Sequence, residues 1–177
     1  RDLFKRLDEM LPDAEFLASN TSSVPIMKLG AETSQPDRVV GMHFFNPVHL
    51  MKLVEVVHHP GSALSAIECA AALGRAWGKT PIVVNDSRGF FANRCVMRYI
   101  AEGNEMFLEG VPPAMIENCA KMAGMPVGPL SLSDEVALDL GLKIMKATEA
   151  DLGPNAINPD QKKLMVEMVE KQGRLGR

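Results

Sequence analysis

Residues 39–57, VVGMHFFNPVHLMKLVEVV, contain two apolar runs separated by a polar turn. The first run, residues 39–45, has the composition of a buried strand, and it stops at the strand-breaking pair Asn46-Pro47. The second run, residues 53–57, is a further strand candidate. If the turn joins the two runs directly, the strands are neighbours in one sheet, and the fold can be built outward from this pairing.

The flanking segments continue an alternation of helices and strands. Apolar spacing predicts three helices and two further strands, over residues 1–11, 25–31 and 62–77 and over residues 15–19 and 81–84. The Asn, Thr and Ser side chains of residues 20–23 are interpreted as N-caps of the second helix. The order strand, helix, strand, strand, helix, strand is typical of an open α/β layer.

No strong strand candidate appears after Asp86. Helical patterns cover the remainder of the chain, over residues 90–108, 112–122, 133–150 and 161–171. The sequence therefore predicts an α/β fold followed by an all-α fold. We place the first domain over residues 1–86 and the all-helical domain over residues 87–177.

Composition and charge exclude several classes of function. The net charge is −3, the pI is near 5.8 and the basic residues are scattered, so we expect no nucleic-acid partner. No apolar segment approaches the length of a membrane helix, so we expect no membrane partner. Cys69, Cys95 and Cys119 are widely spaced without a C-x-x-C pair, which favours buried free thiols in a reducing compartment and no metal site.

His43 and Glu55 are the polar residues within the two apolar runs that could carry chemistry. A buried imidazole needs a hydrogen-bond partner, because an unpartnered polar group in the core is costly. Spacing alone leaves two interpretations open. Either the carboxylate orients the imidazole as a general base, or His43 is bonded to a backbone carbonyl and Glu55 faces solvent on an edge strand. His49, His58 and His59 are predicted to be exposed in turns.

Two further polar residues have open roles. Ser22 is first explained as a helix-capping residue, but it also follows a strand, where open α/β sheets bind their ligands. Asn93 lies early in a long apolar helix, where it either faces solvent or binds a substrate oxygen at a domain cleft. The chain has no G-x-G-x-x-G loop, Walker A loop or nucleophile elbow, so no such pattern establishes a nucleotide ligand.

Several runs together resemble the L-3-hydroxyacyl-CoA dehydrogenase family. They are ASNTSS at residues 18–23, GMHFFNPV at 41–48, MKLVEV at 51–56, GKTP at 78–81, GFFANR at 89–94 and PVGP at 126–129. The resemblance spans nearly the whole chain. It implies the C-terminal half of a Rossmann-like NAD-binding domain over residues 1–86, followed by a helical dimerisation domain over residues 87–177.

The resemblance also implies catalytic and substrate-binding roles. His43 is the expected general base, which takes the proton from a 3-hydroxyl group, and Glu55 is expected to orient and polarise it. Ser22 and Asn93 are implied to contact an acyl-CoA substrate. The implied reaction is the NAD-dependent oxidation of an L-3-hydroxyacyl-CoA to the 3-ketoacyl-CoA in fatty-acid β-oxidation.

On the cofactor side, the resemblance implies NAD held by Asn46, Ser22 and Asn20, with Asn46 at the nicotinamide end. The implied partners are a second copy of the chain, bound through the helical domain, or the other subunits of a fatty-acid oxidation complex in the cytoplasm. The stretch 46–51, with its His49, is most similar to the dehydrogenase part of bacterial multifunctional fatty-acid oxidation alpha subunits.

The chain departs from the family pattern at three points. Arg88 stands where many members have proline, and Ala137 stands where glycine is usual, which we interpret as a change in packing. The family's glycine-rich loop and ribose-binding acid would precede Arg1. We therefore expect residues 1–177 to lack the N-terminal half of the nucleotide fold and to have impaired activity alone.

Two rival functions are compatible with the residue patterns. One is a non-catalytic helical interaction module, comparable to a lens crystallin, that keeps the fold without turnover. The other is a dehydrogenase of similar architecture that acts on a branched or short hydroxyacid.

Overall fold

The computed structural model describes residues 2–22 and 24–176. The chain divides into two units, Arg1–Arg94 and Cys95–Arg177. The first unit contains α1 (Asp2–Met10), β1 (Leu17–Ser19), α2 (Ile26–Gly30), a 3₁₀ turn (Pro36–Arg38), β2 (Val39–Phe44), β3 (Leu53–His58), α3 (Leu64–Ala76) and β4 (Thr80–Asn85). The predicted order of strands and helices is confirmed, and the 3₁₀ turn was not predicted.

The four strands form one sheet in the order β1-β2-β3-β4. β1 is parallel to β2, β2 is antiparallel to β3, and β3 is parallel to β4. The carboxyl ends of β1 and β2 therefore lie at the same edge of the sheet as the first residues of β3 and β4. The predicted α/β fold followed by an all-α fold is confirmed.

β2 and β3 read as nearly continuous apolar runs because both of their faces are covered. One face packs in a cluster of buried residues made of Phe4, Leu17, Ile26, Leu29, Val39, Val57 and Phe90. The other face packs in a second cluster made of Val40, Met42, Val54, Val56, Ala66, Ala70 and Ala71. Gly41 interrupts the first run because a Cβ at that position would lie 2.8 Å from the Val57 Cβ. Strands buried on both faces show such runs rather than alternation.

Arg38 is a buried cation that fastens α1 to the sheet. Its guanidinium donates hydrogen bonds to three backbone carbonyls in the connection between α1 and β1. It also lies 2.7 Å from the carboxylate of Asp8. Hydrogen bonds from the Ser34 N–H and from Arg38 hold the pKa of Asp8 below its usual value. A buried charge of this kind is tolerated because it is paired and hydrogen-bonded.

The N-cap prediction for α2 is wrong. The N-cap residue is Pro25 and not one of residues 20–22, it makes no side-chain cap hydrogen bond, and Ser23 lies outside the described residues. Instead, the carboxylate of Asp86 accepts a hydrogen bond of 2.9 Å from the N–H of Met27. The free N–H groups at a helix start require an acceptor, and here that acceptor comes from the far end of β4.

The predicted exposure of two histidines and of the cysteines needs correction. His59 is only 6% exposed. Both nitrogens of its buried ring have partners: Nε2 lies 3.0 Å from the Pro36 carbonyl, and Nδ1 accepts from the Gly61 N–H. His58 is half-buried at the end of β3, and His49 is exposed as predicted. The prediction of buried thiols is wrong, since Cys69, Cys95 and Cys119 are all exposed.

The second unit is built from helices. It contains most of α4 (Ala92–Leu108), then α5 (Pro113–Met122), α6 (Pro129–Val136), α7 (Leu138–Leu152), a 3₁₀ turn (Pro154–Ala156), α8 (Pro159–Val166) and a π-helical turn (Glu167–Lys171). Its core is formed by Leu138, Leu142, Met145 and Met165. Among the described residues, no helix combines the length and the apolar character needed to cross a membrane. The two units divide after Arg94, within α4. The domain boundary at residues 86–87 stays a prediction.

The single helix predicted over residues 133–150 is wrong. The chain forms α6 and α7, which meet at Ala137, where φ is +76°. Residues with a side chain rarely adopt positive φ, because their Cβ crowds the backbone, whereas glycine adopts it freely. Ala137 therefore adopts a backbone conformation that favours glycine, which the interpretation of this position as a change in packing did not anticipate.

Glu117 of α5 caps the start of α6. One carboxylate oxygen accepts from the N–H groups of Leu130 and Ser131, at 2.9 and 3.2 Å, and the other accepts from the Ser131 hydroxyl. A Cβ on Gly128 would lie 2.3 Å from this carboxyl group, so the approach requires glycine. Burial raises the pKa of Glu117, but these hydrogen bonds and the charge of Lys121 outweigh it, and the pKa lies below its ordinary value.

Replacing Ala137 with glycine is expected to stabilise the second unit. Glycine adopts a positive φ without strain, but it also raises the conformational entropy of the unfolded chain. The expected net increase in the free energy of unfolding is about 1 kcal/mol. Urea unfolding followed by circular dichroism measures the change. Ala147→Gly, in the interior of α7, is the matched control and is expected to destabilise by about 1 kcal/mol. A loss of stability in Ala137→Gly would contradict the strain at this junction.

Replacing Glu117 with glutamine is expected to reduce the acid sensitivity of the fold. Because the folded-state pKa of Glu117 lies below its ordinary value of 4.5, the stabilisation is present above that value and is lost as the pH falls through the folded-state pKa. Unfolding midpoints in urea near pH 7 and about pH 3 measure the dependence. Wild type loses more stability between them than Glu117→Gln. Glu135→Gln, at an exposed position of α6, serves as the control and should behave as wild type.

Candidate active site

His43 and Glu55 face each other in the sheet. They occupy directly opposed positions of the antiparallel pair β2–β3, and His43 Nδ1 lies 2.7 Å from Glu55 Oε2. His43 is 7% exposed and Glu55 is 0% exposed. The interpretation that places Glu55 in solvent and His43 against a backbone carbonyl is therefore wrong, and the structure brings the two predicted residues together.

The second oxygen of Glu55 caps the start of α4. Glu55 Oε1 accepts hydrogen bonds from the N–H groups of Phe91 and Ala92, at 2.9 and 2.8 Å. These donors replace the water that burial removes from the carboxylate, and the N-terminus of a helix favours a negative charge. Both oxygens of this fully buried group thus have partners.

The hydrogen-bond partners assign the tautomer of His43. An ionised carboxylate only accepts hydrogen bonds, so His43 Nδ1 carries the proton that it donates to Glu55. The lone pair of a neutral imidazole then lies on Nε2. The arrangement supplies a nitrogen that can accept a proton from a bound molecule, with a carboxylate behind it to stabilise the resulting cation.

Two aromatic rings fix the orientation of the His43 imidazole. The Phe45 ring centroid lies 4.8 Å from that of His43, and the Phe90 ring approaches edge-on at 5.5 Å. Phe90 is buried, and its φ of +48° is unusual for a residue with a side chain. Such backbone strain persists only where the surrounding structure imposes it. Neither phenylalanine was identified as a site residue from the sequence.

Two other predicted site residues, Asn20 and Asn93, lie next to residues that adjoin or bind the His43–Glu55 pair. Asn20 Oδ1 accepts a 2.9 Å hydrogen bond from the Phe44 N–H, so it joins the end of β1 to β2 beside His43. Asn93 is half-buried in the first turn of α4, directly after the Ala92 N–H that Glu55 binds.

Ser22 and Asn46 lie on the loops that follow β1 and β2, and both are exposed. In the described part of the chain, no hydrogen bond joins either residue to His43 or Glu55. The roles of Ser22, Asn46, Asn20 and Asn93 in binding stay predictions. No group of three or more histidine, cysteine or acidic side chains suited to a metal ion occurs among residues 2–22 and 24–176.

Replacing Glu55 with glutamine is expected to reverse the tautomer of His43. The glutamine oxygen stays with the Phe91 and Ala92 N–H donors, which leaves the NH₂ group facing Nδ1. An NH₂ donor requires an acceptor, so Nδ1 gives up its proton and Nε2 carries it. NMR of isotope-labelled imidazole nitrogens measures the change. Glu68→Gln, at an exposed position of α3, is the control. An Nε2 that stays unprotonated in Glu55→Gln would contradict the assignment.

Comparison with known families finds two matching sequence models. The model for "3-hydroxyacyl-CoA dehydrogenase, NAD binding domain" matches residues 1–87. The model for "3-hydroxyacyl-CoA dehydrogenase, C-terminal domain" matches residues 89–177. A curated relative, the fatty acid oxidation complex subunit alpha of Vibrio vulnificus, is 40% identical over 160 residues, which are 90% of this chain and 22% of the relative.

Solved structures show the same fold. (S)-3-hydroxybutyryl-CoA dehydrogenase PaaH1 of Ralstonia eutropha is 37% identical with a TM-score of 0.84, over 100% of this chain and 64% of that one. FadB2 of M. tuberculosis is 36% identical with a TM-score of 0.84, over 99% of this chain and 62% of that one. The chain thus spans about a fifth of the curated relative and less than two thirds of these solved chains.

Proposed function

Because the chain belongs to the 3-hydroxyacyl-CoA dehydrogenase family, we propose that it oxidises an L-3-hydroxyacyl-CoA to the 3-ketoacyl-CoA with NAD, using His43 as the general base. The observation that carries the proposal is the buried His43–Glu55 pair, whose 2.7 Å contact engages Nδ1 and leaves Nε2 as a proton acceptor. Because apolar residues that replace a buried ion pair often give equal or greater stability, a buried carboxylate behind an imidazole supports a chemical role in addition to a structural one.

The proposed chemistry follows from the tautomer of His43. His43 Nε2 takes the proton of the substrate's 3-hydroxyl group while the C3–H bond breaks and the C3–O double bond forms. The imidazolium that results is stabilised by the Glu55 carboxylate, which lies between Nδ1 and the start of α4. NAD, when bound, supplies the acceptor for the hydride that leaves C3.

The side chains at one edge of the sheet have the chemistry to hold NAD. β1 and β2 are parallel neighbours, so the loops that follow them, with Asn20, Ser22 and Asn46, lie at the same edge. The exposed amides of Asn46 and Asn20 and the exposed hydroxyl of Ser22 suit a nicotinamide carboxamide and ribose hydroxyls. We assign Asn46 to the nicotinamide end, and Ser22 and Asn93 to the substrate oxygens.

The names of the relatives support an acyl-CoA substrate and a place in fatty-acid β-oxidation. The curated relative is a subunit of a fatty acid oxidation complex, and PaaH1 acts on a 3-hydroxybutyryl-CoA. By analogy, the proposed partners are the other subunits of such a complex, or a second copy bound through the helical unit, in the cytoplasm.

Replacing His43 with glutamine is expected to lower the rate by about two to four orders of magnitude, because the general base is lost while the shape is kept. The full-length protein is assayed by following NADH oxidation with acetoacetyl-CoA. His49→Gln, at an exposed position of the following loop, is the matched control and should keep the wild-type rate.

Three outcomes would overturn the proposal. Full activity in His43→Gln would remove the assigned base. A wild-type protein without dehydrogenase activity on any substrate tested would support the non-catalytic module. Activity on free branched or short hydroxyacids, but not on their CoA thioesters, would support a different dehydrogenase.

A further inference from the structure

The loop between β2 and β3 closes in a single helical turn. The N–H groups of Leu50 and Met51 both donate to the Pro47 carbonyl, at 2.9 and 3.0 Å. The carbonyls of Val48 and Met51 lie in the same turn, and both accept hydrogen bonds from the Lys79 ammonium, the bond to Met51 being 2.8 Å long. A cation at the carbonyl end of a helical turn is favourable because that end carries partial negative charge.

Apolar packing contributes little to this loop. The side chains of Val48, Leu50 and Met51 are 40%, 68% and 42% exposed. Charge-assisted hydrogen bonds are stronger than neutral ones, and the Lys79 ammonium makes two of them to the loop backbone. Lys79 is therefore a long-range anchor of the loop, through two hydrogen bonds to its backbone.

Lys79 is itself fixed at the end of α3. Gly78, with φ of +72°, donates its N–H to the Arg75 carbonyl at 2.9 Å, and the Lys79 N–H donates to the Gly74 carbonyl at 3.0 Å. This pair of bonds is a Schellman motif, which ends a helix in one defined conformation. The next residue, Thr80, then pairs with the start of β3, since β4 is parallel to β3 from Leu53 onward.

The loop begins beside the His43–Glu55 pair. Its first residue is Phe45, whose ring packs 4.8 Å from the His43 ring, and Asn46 follows directly. Lys79 lies at this edge because β4 begins where β2 ends. We infer that Lys79 is a positioning residue of the active site, which acts through the loop 45–51 to hold Phe45 against His43 and to fix the position of Asn46. This inference rests on the proposed function.

The first test measures the loop directly in the ligand-free, full-length protein. In Lys79→Met, hydrogen exchange in peptides covering residues 46–52 is expected to accelerate about tenfold, because the charged hydrogen bonds are lost. Peptides from β2 and α3 should exchange as in wild type. Arg75→Met removes a cation from an exposed position four residues earlier and is the matched control. Unchanged exchange in the loop of Lys79→Met would overturn the inference.

The second test measures catalysis. In Lys79→Met, kcat/KM is expected to fall about ten- to hundredfold, because Phe45 and Asn46 are no longer held in place. The midpoint of the pH profile of kcat/KM is expected to stay the same, because His43 and Glu55 remain in contact. Lys79→Arg, which keeps the charge and several donors, should restore most of the activity, and Lys79→Gln should be intermediate. A shifted pH profile, or no rescue by arginine, would overturn the positioning role.

The two tests separate the inference from the proposed function. If the wild-type protein has no dehydrogenase activity, the proposed function fails, and the exchange measurement still decides whether Lys79 holds the loop. If wild type is active and Lys79→Met retains full activity, the inference fails and the proposed function stands.

Discussion

The carboxylate of Glu55 is the group on which the first unit depends. It is fully buried, and its oxygens bind His43 on the neighbouring strand and two N–H groups at the start of α4. Removing either set of partners would leave a charge in the core without compensation, which is costly. The requirement to satisfy one carboxylate therefore joins β2, β3 and the first turn of α4, and it also selects the tautomer of His43.

Remote carboxylates cap three of the helices. Asp86 accepts a hydrogen bond from the start of α2, Glu55 from the start of α4 and Glu117 from the start of α6. The positions just before α2 and α6 are Pro25 and Gly128, which have no side-chain acceptor of their own. In each case the open N–H groups of the first turn are satisfied by an acid from another element. Helix starts in this protein are thus set by tertiary contacts as well as by local sequence.

Much of the architecture was predictable from residue patterns. The apolar runs over residues 39–45 and 53–57 predicted both central strands, and the alternating pattern predicted the α/β layer. The break at Ala137 was missed because an alanine gives no sign of positive φ. The burial of His59 was missed because its Nε2 lies against the backbone carbonyl of Pro36, which is distant in the sequence. The proximity of His43 and Glu55 was one of two open interpretations from spacing, and the resemblance to a family favoured it.

The sequence by itself determined the order of strands and helices in the first unit, and it identified His43 and Glu55 as polar groups within apolar runs, since hydrophobic period and turn residues are local properties. The tertiary structure alone decided which polar groups meet. The register of β2 and β3 sets His43 opposite Glu55, whereas a slip of one residue would turn the two side chains to opposite faces. Hydrogen-bond partners far apart in the chain, such as Glu55 with Ala92 and Lys79 with Met51, depend on this packing and leave no local pattern in the sequence.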